Sequence, residues 1–288
     1  MLNFRKLVKE DKVLFDKYKS KTSKYSENSF VTLYLWDKYY NLHICEEDGF
    51  LFIRFTIDGK NQYLFPMGEG DVKNAFEKIL SCNDNGQLRF ITDKQKEFIE
   101  DNFPDVFNFT LREDLCDYVY ETEKLISFSG KKLHGKKNHV NFFEKTYDYT
   151  YETVTEEVAI NECRPLLLKW IDEKTKNLNP IEYDAMERIF DNYKLFNLTG
   201  GIIRIDGEIV AMTFGERLTE DTVLVQVEKA REDIRGAYPM ICKLFLENEW
   251  NDTTFVNREE DMGIEGLRKA KESYGPIFKT LKYQGKRI

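Results

Sequence analysis

Three apolar runs joined by tight turns and followed by a one-faced helix occur twice along this chain, and that repetition leaves few architectures open. In the first pass the spacing predicts strands around Leu42–Cys45, Phe50–Ile57 and Gln62–Phe65, linked by Asp48-Gly49 and Asp58-Gly59. Asp-Gly between alternating apolar runs signals a hairpin, because the favoured two-residue turn holds both central residues at positive φ. Val72, Ala75, Phe76, Ile79 and Leu80 then share one face of a helix, and strand, helix and strand follow to about Leu111. In the second pass an extended run at Tyr147–Thr155 and helical stretches near Glu156–Lys174 and Pro180–Tyr193 come first. Strands at Gly201–Ile205 and Glu208–Phe214 flank Asp206-Gly207, and Thr222–Glu228 makes a third. A helix from near Gly236 carries Tyr238, Ile241, Cys242 and Phe245 as an apolar stripe. Strand 253–257, helix 264–274 and strand 277–283 complete the outline. Residue identity between the halves is low, so the repeat is one of element order. It predicts two similar α/β domains, 1–125 and 147–288, joined by a basic segment at 126–146, each with a mixed, mostly antiparallel sheet flanked by helices.

A length of 288 residues favours two cores over one. No apolar run approaches the roughly 20 residues that cross a bilayer, and the N-terminus MLNFRKLVKEDK is too charged for a signal peptide. The five cysteines, Cys45, Cys82, Cys116, Cys163 and Cys242, are widely spread and contain no CxxC pair. They read as buried thiols of a cytoplasmic protein. A net charge of -8 argues against bulk attraction to nucleic acid or anionic membrane. One segment runs the other way: Lys131, Lys132, His134, Lys136, Lys137 and His139, followed by Phe142-Phe143. Positive charge interleaved with aromatic rings suits a phosphate-rich partner such as tRNA or an anionic lipid headgroup; a solvated linker helix is the alternative. Two histidines five residues apart, without HExxH or a cysteine pair, make a weak ligand set, and no metal is expected. GxSxG, Walker and GxGxxG motifs are absent, and because the cysteines lie in apolar runs and no histidine adjoins a serine, a covalent intermediate is not expected.

The chemistry is expected at two strand ends. Along TVLVQVE, Val223, Val225 and Val227 lie on one face and Leu224, Gln226 and Glu228 on the other. Glu228 thus ends a buried strand beside KAREDIRG, the turn that opens a helix, and helix starts with free N–H groups bind phosphate. Arg231 and Arg235 would add charge-assisted contacts, with a solvated surface turn as the alternative for Arg231. Further on, Phe255-Val256 runs into Asn257, Arg258, Glu259, Glu260 and Asp261. The crevice outside the carboxyl ends of α/β strands is where ligands bind, so Asn257 and Arg258 are substrate candidates together with Gln226 and Glu259. At least one of the three acidic residues is expected to serve the positive end of the following helix. Ile264, Leu267, Ala270 and Tyr274 span an apolar arc, and Lys271 falls inside it. That lysine needs a partner or ligand there, unless its stem lies along apolar surface and its ammonium reaches water. The tips near Glu228 and Asn257 are expected to splay and leave a polar slot.

The element order resembles the acyl-CoA N-acyltransferase fold of the Gcn5-related (GNAT) superfamily. GKKLHGKKNHVNFF at 130–143, DIRGAY at 233–238 and NREEDMGIEGLRKAKESYGP at 257–276 resemble the domain at the C-terminus of phosphatidylglycerol lysyltransferases, over essentially the whole chain. That family sets two GNAT-like folds in tandem and is related in fold to the enzymes that build peptidoglycan cross-bridges from aminoacyl-tRNA. Lysyltransferases proper carry a multi-span membrane region ahead of this domain, and no counterpart is visible in this sequence. The superfamily's donor loop has the form Q/R-x-x-G-x-G/A; Arg235, Gly236 and Ala237 stand in it here, and the loop departs from the pattern at Asp233. The resemblance implies direct transfer of an acyl or aminoacyl group from a coenzyme A thioester or an aminoacyl-tRNA to an amine or hydroxyl, without a tightly bound cofactor. Glu228 is then the base, Tyr274 the acid for the leaving group, and the N-terminal domain is structural or closes over the site. The alternative is a non-catalytic module that binds tRNA, a nucleotide or a protein.

Overall fold

The computed structural model of the protein describes residues 2–82, 86–174 and 180–288. Its strands are β1 (Arg5–Lys6), β2 (His43–Glu47), β3 (Phe50–Ile57), β4 (Lys60–Tyr63), β5 (Met67–Gly68), β6 (Gln87–Ile91), β7 (Phe107–Leu111) and β8 (Asp117–Glu121). The second half adds β9 (Tyr149–Thr153), β10 (Thr199–Ile205), β11 (Glu208–Thr219), β12 (Thr222–Ala230), β13 (Phe255–Asn257), β14 (Phe278–Thr280) and β15 (Tyr283–Arg287). Two compact units result: Met1–Cys116 with Thr280–Ile288, and Asp117–Lys279.

The expected hairpins form for the expected reason. Asp48-Gly49, Asp58-Gly59 and Asp206-Gly207 all hold positive φ at both residues, between 49° and 81°. Primed turns of this kind match the right-handed twist of the strands they join. The one-faced helices also form: in Val72–Leu80 the buried residues are Ala75, Phe76 and Ile79. In Ala237–Glu249 the stripe widens to Ala237, Pro239, Met240, Ile241, Cys242, Leu244, Phe245 and Leu246. Each large side chain fully buried there contributes about 1.5–3 kcal/mol, which is what fixes this helix on its sheet.

The two sheets have one strand order. The first runs β1-β2-β3-β4-β6-β15-β7, with β5 attached to β3, and the second runs β9-β10-β11-β12-β13-β8-β14. Among the described residues β4 and β6 pair in parallel in the first sheet, and β12 and β13 in the second. Here the expected boundaries need correction. β8 falls before residue 125 yet pairs antiparallel with β13 in the second sheet, and the expected strand 277–283 divides. Phe278–Thr280 stays in the second sheet, whereas Tyr283–Arg287 joins the first between β6 and β7. The second sheet is thus completed by the strand that opens its unit, β8, and the first by β15, which returns to it from the end of the chain. An inner sheet position must be filled, because unpaired N–H and C=O groups there cannot reach water, but local sequence does not say which strand fills it.

Candidate active site

The second unit forks where its parallel pair ends. β12 and β13 pair at Thr222–Phe255, Val223–Val256 and Leu224–Asn257, after which β13 stops and β12 continues to Ala230 against β11 alone. Beyond Asn257 the two strands no longer pair. A register shift between Phe214 and Gly215 leaves Gln226 outside one-to-one pairing with β11, as at a β-bulge.

Polar side chains converge at the fork. The Glu228 carboxylate accepts a hydrogen bond from the Arg258 guanidinium at 2.6 Å, and the two side chains are only 9 % and 13 % exposed. The guanidinium lies 4.4 Å from the ring centroid of Tyr274 and 5.8 Å from that of Tyr120. Lys136, from the helix His134–Thr146, sets its ammonium 3.9 Å from the same Tyr274 ring, half-buried and without a hydrogen-bond acceptor among the described residues. Burial pushes the Glu228 carboxyl up from the usual carboxylate range, against the pull of Arg258, Lys136 and Lys271. Burial also lowers the Lys136 ammonium, with Arg258 adding to the effect. The buried Tyr274 hydroxyl is raised well above its ordinary value and stays protonated at neutral pH. Burial pushes the Cys242 thiol up to about 12, so it is no nucleophile. The fork therefore offers a proton acceptor, a proton donor and three cations in a water-poor setting.

The block after β13 is mostly a brace. Asn257 is fully buried; its amide donates to Asp117 Oδ2 at 3.0 Å and accepts from the Glu259 N–H at 2.7 Å. Asp261, also fully buried, accepts from Tyr118 Oη at 2.6 Å, from the Gly263 N–H at 2.8 Å and from Arg268 Nε at 2.9 Å. Burial would raise its carboxyl, but Arg268, Tyr118 and the Gly263 N–H hold it down at about 2. Asp261 is thus the structural acid among the three, ordering the turn rather than capping the helix with its side chain. Lys271 donates to the carbonyls of Arg258 and of Glu259, the latter at 3.0 Å, and burial lowers it to about 8. Its partner is the turn that carries Arg258. The expected apolar arc is corrected: no residue of Glu265–Glu272 is buried, Ile264 and Ala270 are exposed, and only Tyr274, beyond the helix, enters the core. Gly263 and Gly275 end the segment at positive φ, so this short helix is held by its ends and not by a stripe.

Several expected residues are engaged by partners other than the Glu228–Arg258 pair. Gln226 donates to Glu216 Oε1 at 2.9 Å. Arg231 is clasped by Asp233 at 2.7 Å and Glu208 at 3.3 Å. Arg235 lays its guanidinium 4.4 Å from the Phe142 ring. Gly236 starts the 237–249 helix at φ 91° with its Cα packed beneath the His139 carbonyl, where a Cβ would collide, and the Ala237 N–H already donates to Ile234 O. The phosphate cradle expected at Gly236 and Ala237 is correspondingly narrowed. Lys131, Lys132, His134, Lys137 and His139 are exposed; only Lys136 of the basic segment turns inward. Burial, then Arg235 and Lys136, lower His139 and keep it neutral at pH 7. Tyr120, whose hydroxyl donates to Lys271 O at 2.8 Å, was not singled out by the sequence. In DYVYE it reads as one more core aromatic.

A cavity of about 850 Å³ opens beside the end of β12, lined by Trp170, Tyr238, Leu166 and Ile209. Its charged lining is balanced: Lys169, Arg204, Lys229 and Arg231 against Glu162, Glu208, Glu232 and Asp233. Lys229 faces this cavity, and its neighbour Glu228 faces the fork, because strand side chains alternate.

A profile of the family described as phosphatidylglycerol lysyltransferase, C-terminal, matches residues 19–284. A conserved protein of unknown function from Bacteroides thetaiotaomicron is 32 % identical, with all of both chains covered and a TM-score of 0.93. L-PGS from Bacillus licheniformis is 16 % identical at a TM-score of 0.67, covering 98 % of this chain and 93 % of that one, a likeness of fold. An uncharacterised protein of Mycoplasmoides gallisepticum, MYCGA3080, is 27 % identical over 182 residues, 60 % of this chain and 56 % of that protein, so the match spans little more than half of that relative. A tandem GNAT protein from the clavulanic acid biosynthesis pathway is similar in fold, at a TM-score of 0.51 and 8 % identity, covering 100 % of this chain and 98 % of that one. No helix among the described residues is long and apolar enough to cross a membrane. The match across residues 19–284 places this chain in the phosphatidylglycerol lysyltransferase C-terminal family.

Proposed function

We propose that this chain transfers an aminoacyl group from aminoacyl-tRNA to an amine or hydroxyl acceptor by direct attack at the fork of the second unit. The observation that carries the reading is the buried Glu228–Arg258 pair beneath Tyr274 at the divergence of β12 and β13. The acceptor heteroatom bonds to the ester carbonyl carbon, and the bond from that carbon to the ribose oxygen breaks. Glu228, its proton affinity raised by burial, takes the acceptor's proton directly or through water, and Tyr274 supplies one to the leaving oxygen. Backbone N–H groups near the end of β12 are the proposed oxyanion donors. tRNA is favoured over coenzyme A as donor on two counts. Arg231 is already neutralised by Asp233 and Glu208, which weakens the site for a pyrophosphate, and Lys131, Lys132 and Lys137 stand exposed for a phosphate backbone.

The test is turnover with radiolabelled aminoacyl-tRNAs, and in parallel with radiolabelled acetyl-CoA, over amine and hydroxyl acceptors. Glu228→Gln is expected to lower the rate by about 10²- to 10⁴-fold, the usual worth of a positioned base. Undiminished turnover in both Glu228→Gln and Tyr274→Phe would remove the role assignment. Saturable acetyl-CoA use, insensitive to Lys131→Ala with Lys137→Ala, would make this an N-acyltransferase. Salt-dependent tRNA binding without any transfer would favour the second reading, a non-catalytic module, which the closed Glu228–Arg258 pair and the engaged Ala237 N–H keep in view.

A further inference from the structure

The first unit has its own fork. β4 and β6 pair at Gln62–Gln87 and Tyr63–Leu88, and the next residue of β6 is Arg89. In the second unit β12 and β13 end at Leu224–Asn257, and the next residue is Arg258. The two arginines therefore hold one position in two sheets of the same strand order. Both lie against aromatic rings: Arg89 is 4.5 Å from the Phe90 centroid and 5.2 Å from that of Tyr40. Their partners differ. Arg258 meets a carboxylate at 2.6 Å, whereas Arg89 meets only the side-chain carbonyl of Gln62, buried, at 3.4 Å. The Arg89 Nε is buried without any hydrogen-bond partner, and no carboxylate pairs with this guanidinium among the described residues. The backbone beside it is strained to hold the arrangement, since Phe90 sits at φ 55°, a conformation a bulky residue seldom adopts, where the register of β6 against β15 slips. A half-buried guanidinium with an unmet donor is costly unless an anion completes it.

We infer that the fork of the first unit is an anion-binding site in which a carboxylate or phosphate oxygen of a small ligand docks on the Arg89 guanidinium, in the place that Glu228 fills opposite Arg258. The site binds and does no chemistry, because it has no counterpart of Glu228 to move a proton. Nearby Lys282 does not compete for the ligand, since its buried ammonium is bonded to Glu27 at 2.8 Å and Ser26 at 3.0 Å. The inference is independent of the transfer reaction proposed for the second unit.

Equilibrium dialysis of the full chain against radiolabelled inorganic phosphate, and separately against radiolabelled citrate, tests it and tells the two oxyanion sources apart. Saturable binding of at least one anion is expected, weakened by about tenfold or more in Arg89→Gln, a loss of about 1.4 kcal/mol. Gln62→Glu guards against misfolding as the cause: the introduced carboxylate would occupy Arg89 as Glu228 occupies Arg258, and so abolish anion binding without lowering the melting temperature. Loss in both variants for phosphate alone assigns a phosphate ligand, and for citrate alone a carboxylate ligand. Binding unchanged in both variants, or no saturable binding by the wild type below about 10 mM, overturns the inference.

Discussion

At the fork of the first unit an amide, Gln62, faces Arg89; at the fork of the second a carboxylate, Glu228, faces Arg258. Strand order, the parallel pair and the arginine after it are the same in both. What differs is one acidic group and the two lysines turned toward it, and with them the capacity to hold a proton in a buried place. The elements after each fork diverge likewise. In the first unit Asp71 caps the 72–80 helix by accepting from the Asn74 N–H at 3.0 Å, and Thr92 caps the 93–102 helix through the Gln95 N–H at 3.3 Å. In the second unit the corresponding helices start on Gly236 and after the Asp261 turn, neither with a side-chain cap. Backbone pairing fixes a scaffold and tolerates different side chains at its open end; chemistry follows those side chains.

The largest effect should separate the two arginines. Arg258→Ala leaves Glu228 buried and uncompensated, and a loss of about 3–5 kcal/mol is expected in urea unfolding. Arg89→Ala removes a long bond to a neutral amide and the contact with the Phe90 and Tyr40 rings, and should cost about 1–2 kcal/mol. Equal losses would break the comparison. Next come the helix starts. Gly236→Ala must strain the backbone and push against the His139 carbonyl, with about 1–3 kcal/mol expected. Asp71→Ala loses a cap and should cost about 0.5–2 kcal/mol, without the shift at the 134–146 helix that Gly236→Ala should show in amide exchange. The smallest contrast is one of pH. Asp261 is held at about 2 in the folded protein against an ordinary 3.8, so its contribution is complete above about pH 4 and is lost as pH falls through 2. Urea midpoints of wild type and Asp261→Asn should converge over that window. Thr92→Ala, which has no titrating group, should run parallel to wild type across it.

Much of this was legible in short stretches of sequence. The Asp-Gly hairpins, the face of the 237–249 helix and the placing of Glu228 and Arg258 at strand ends depend on neighbours a few residues away. The apolar arc at 264–274 misled because four residues fit a helical stripe, whereas this helix presents no buried face. Lys136 carried an unused signal: with Val140 and Phe143 it lies four and seven residues along one helical stripe, and both of those are buried. Lys137, turned by roughly 100° from it, is exposed.

Local periodicity, then, determined the strands, turns and helix faces, and even the two charged residues that meet at the second fork, because torsional preference and side-chain direction act over a turn or a dipeptide. Only the tertiary structure decided that β8 and β15 fill the same place in opposite sheets, and that the Lys136 ammonium comes to rest on Tyr274 beside a buried ion pair. Those outcomes rest on hydrogen bonds and desolvation between segments a hundred or more residues apart, where the free energy of the whole fold, and no local pattern, selects the partner.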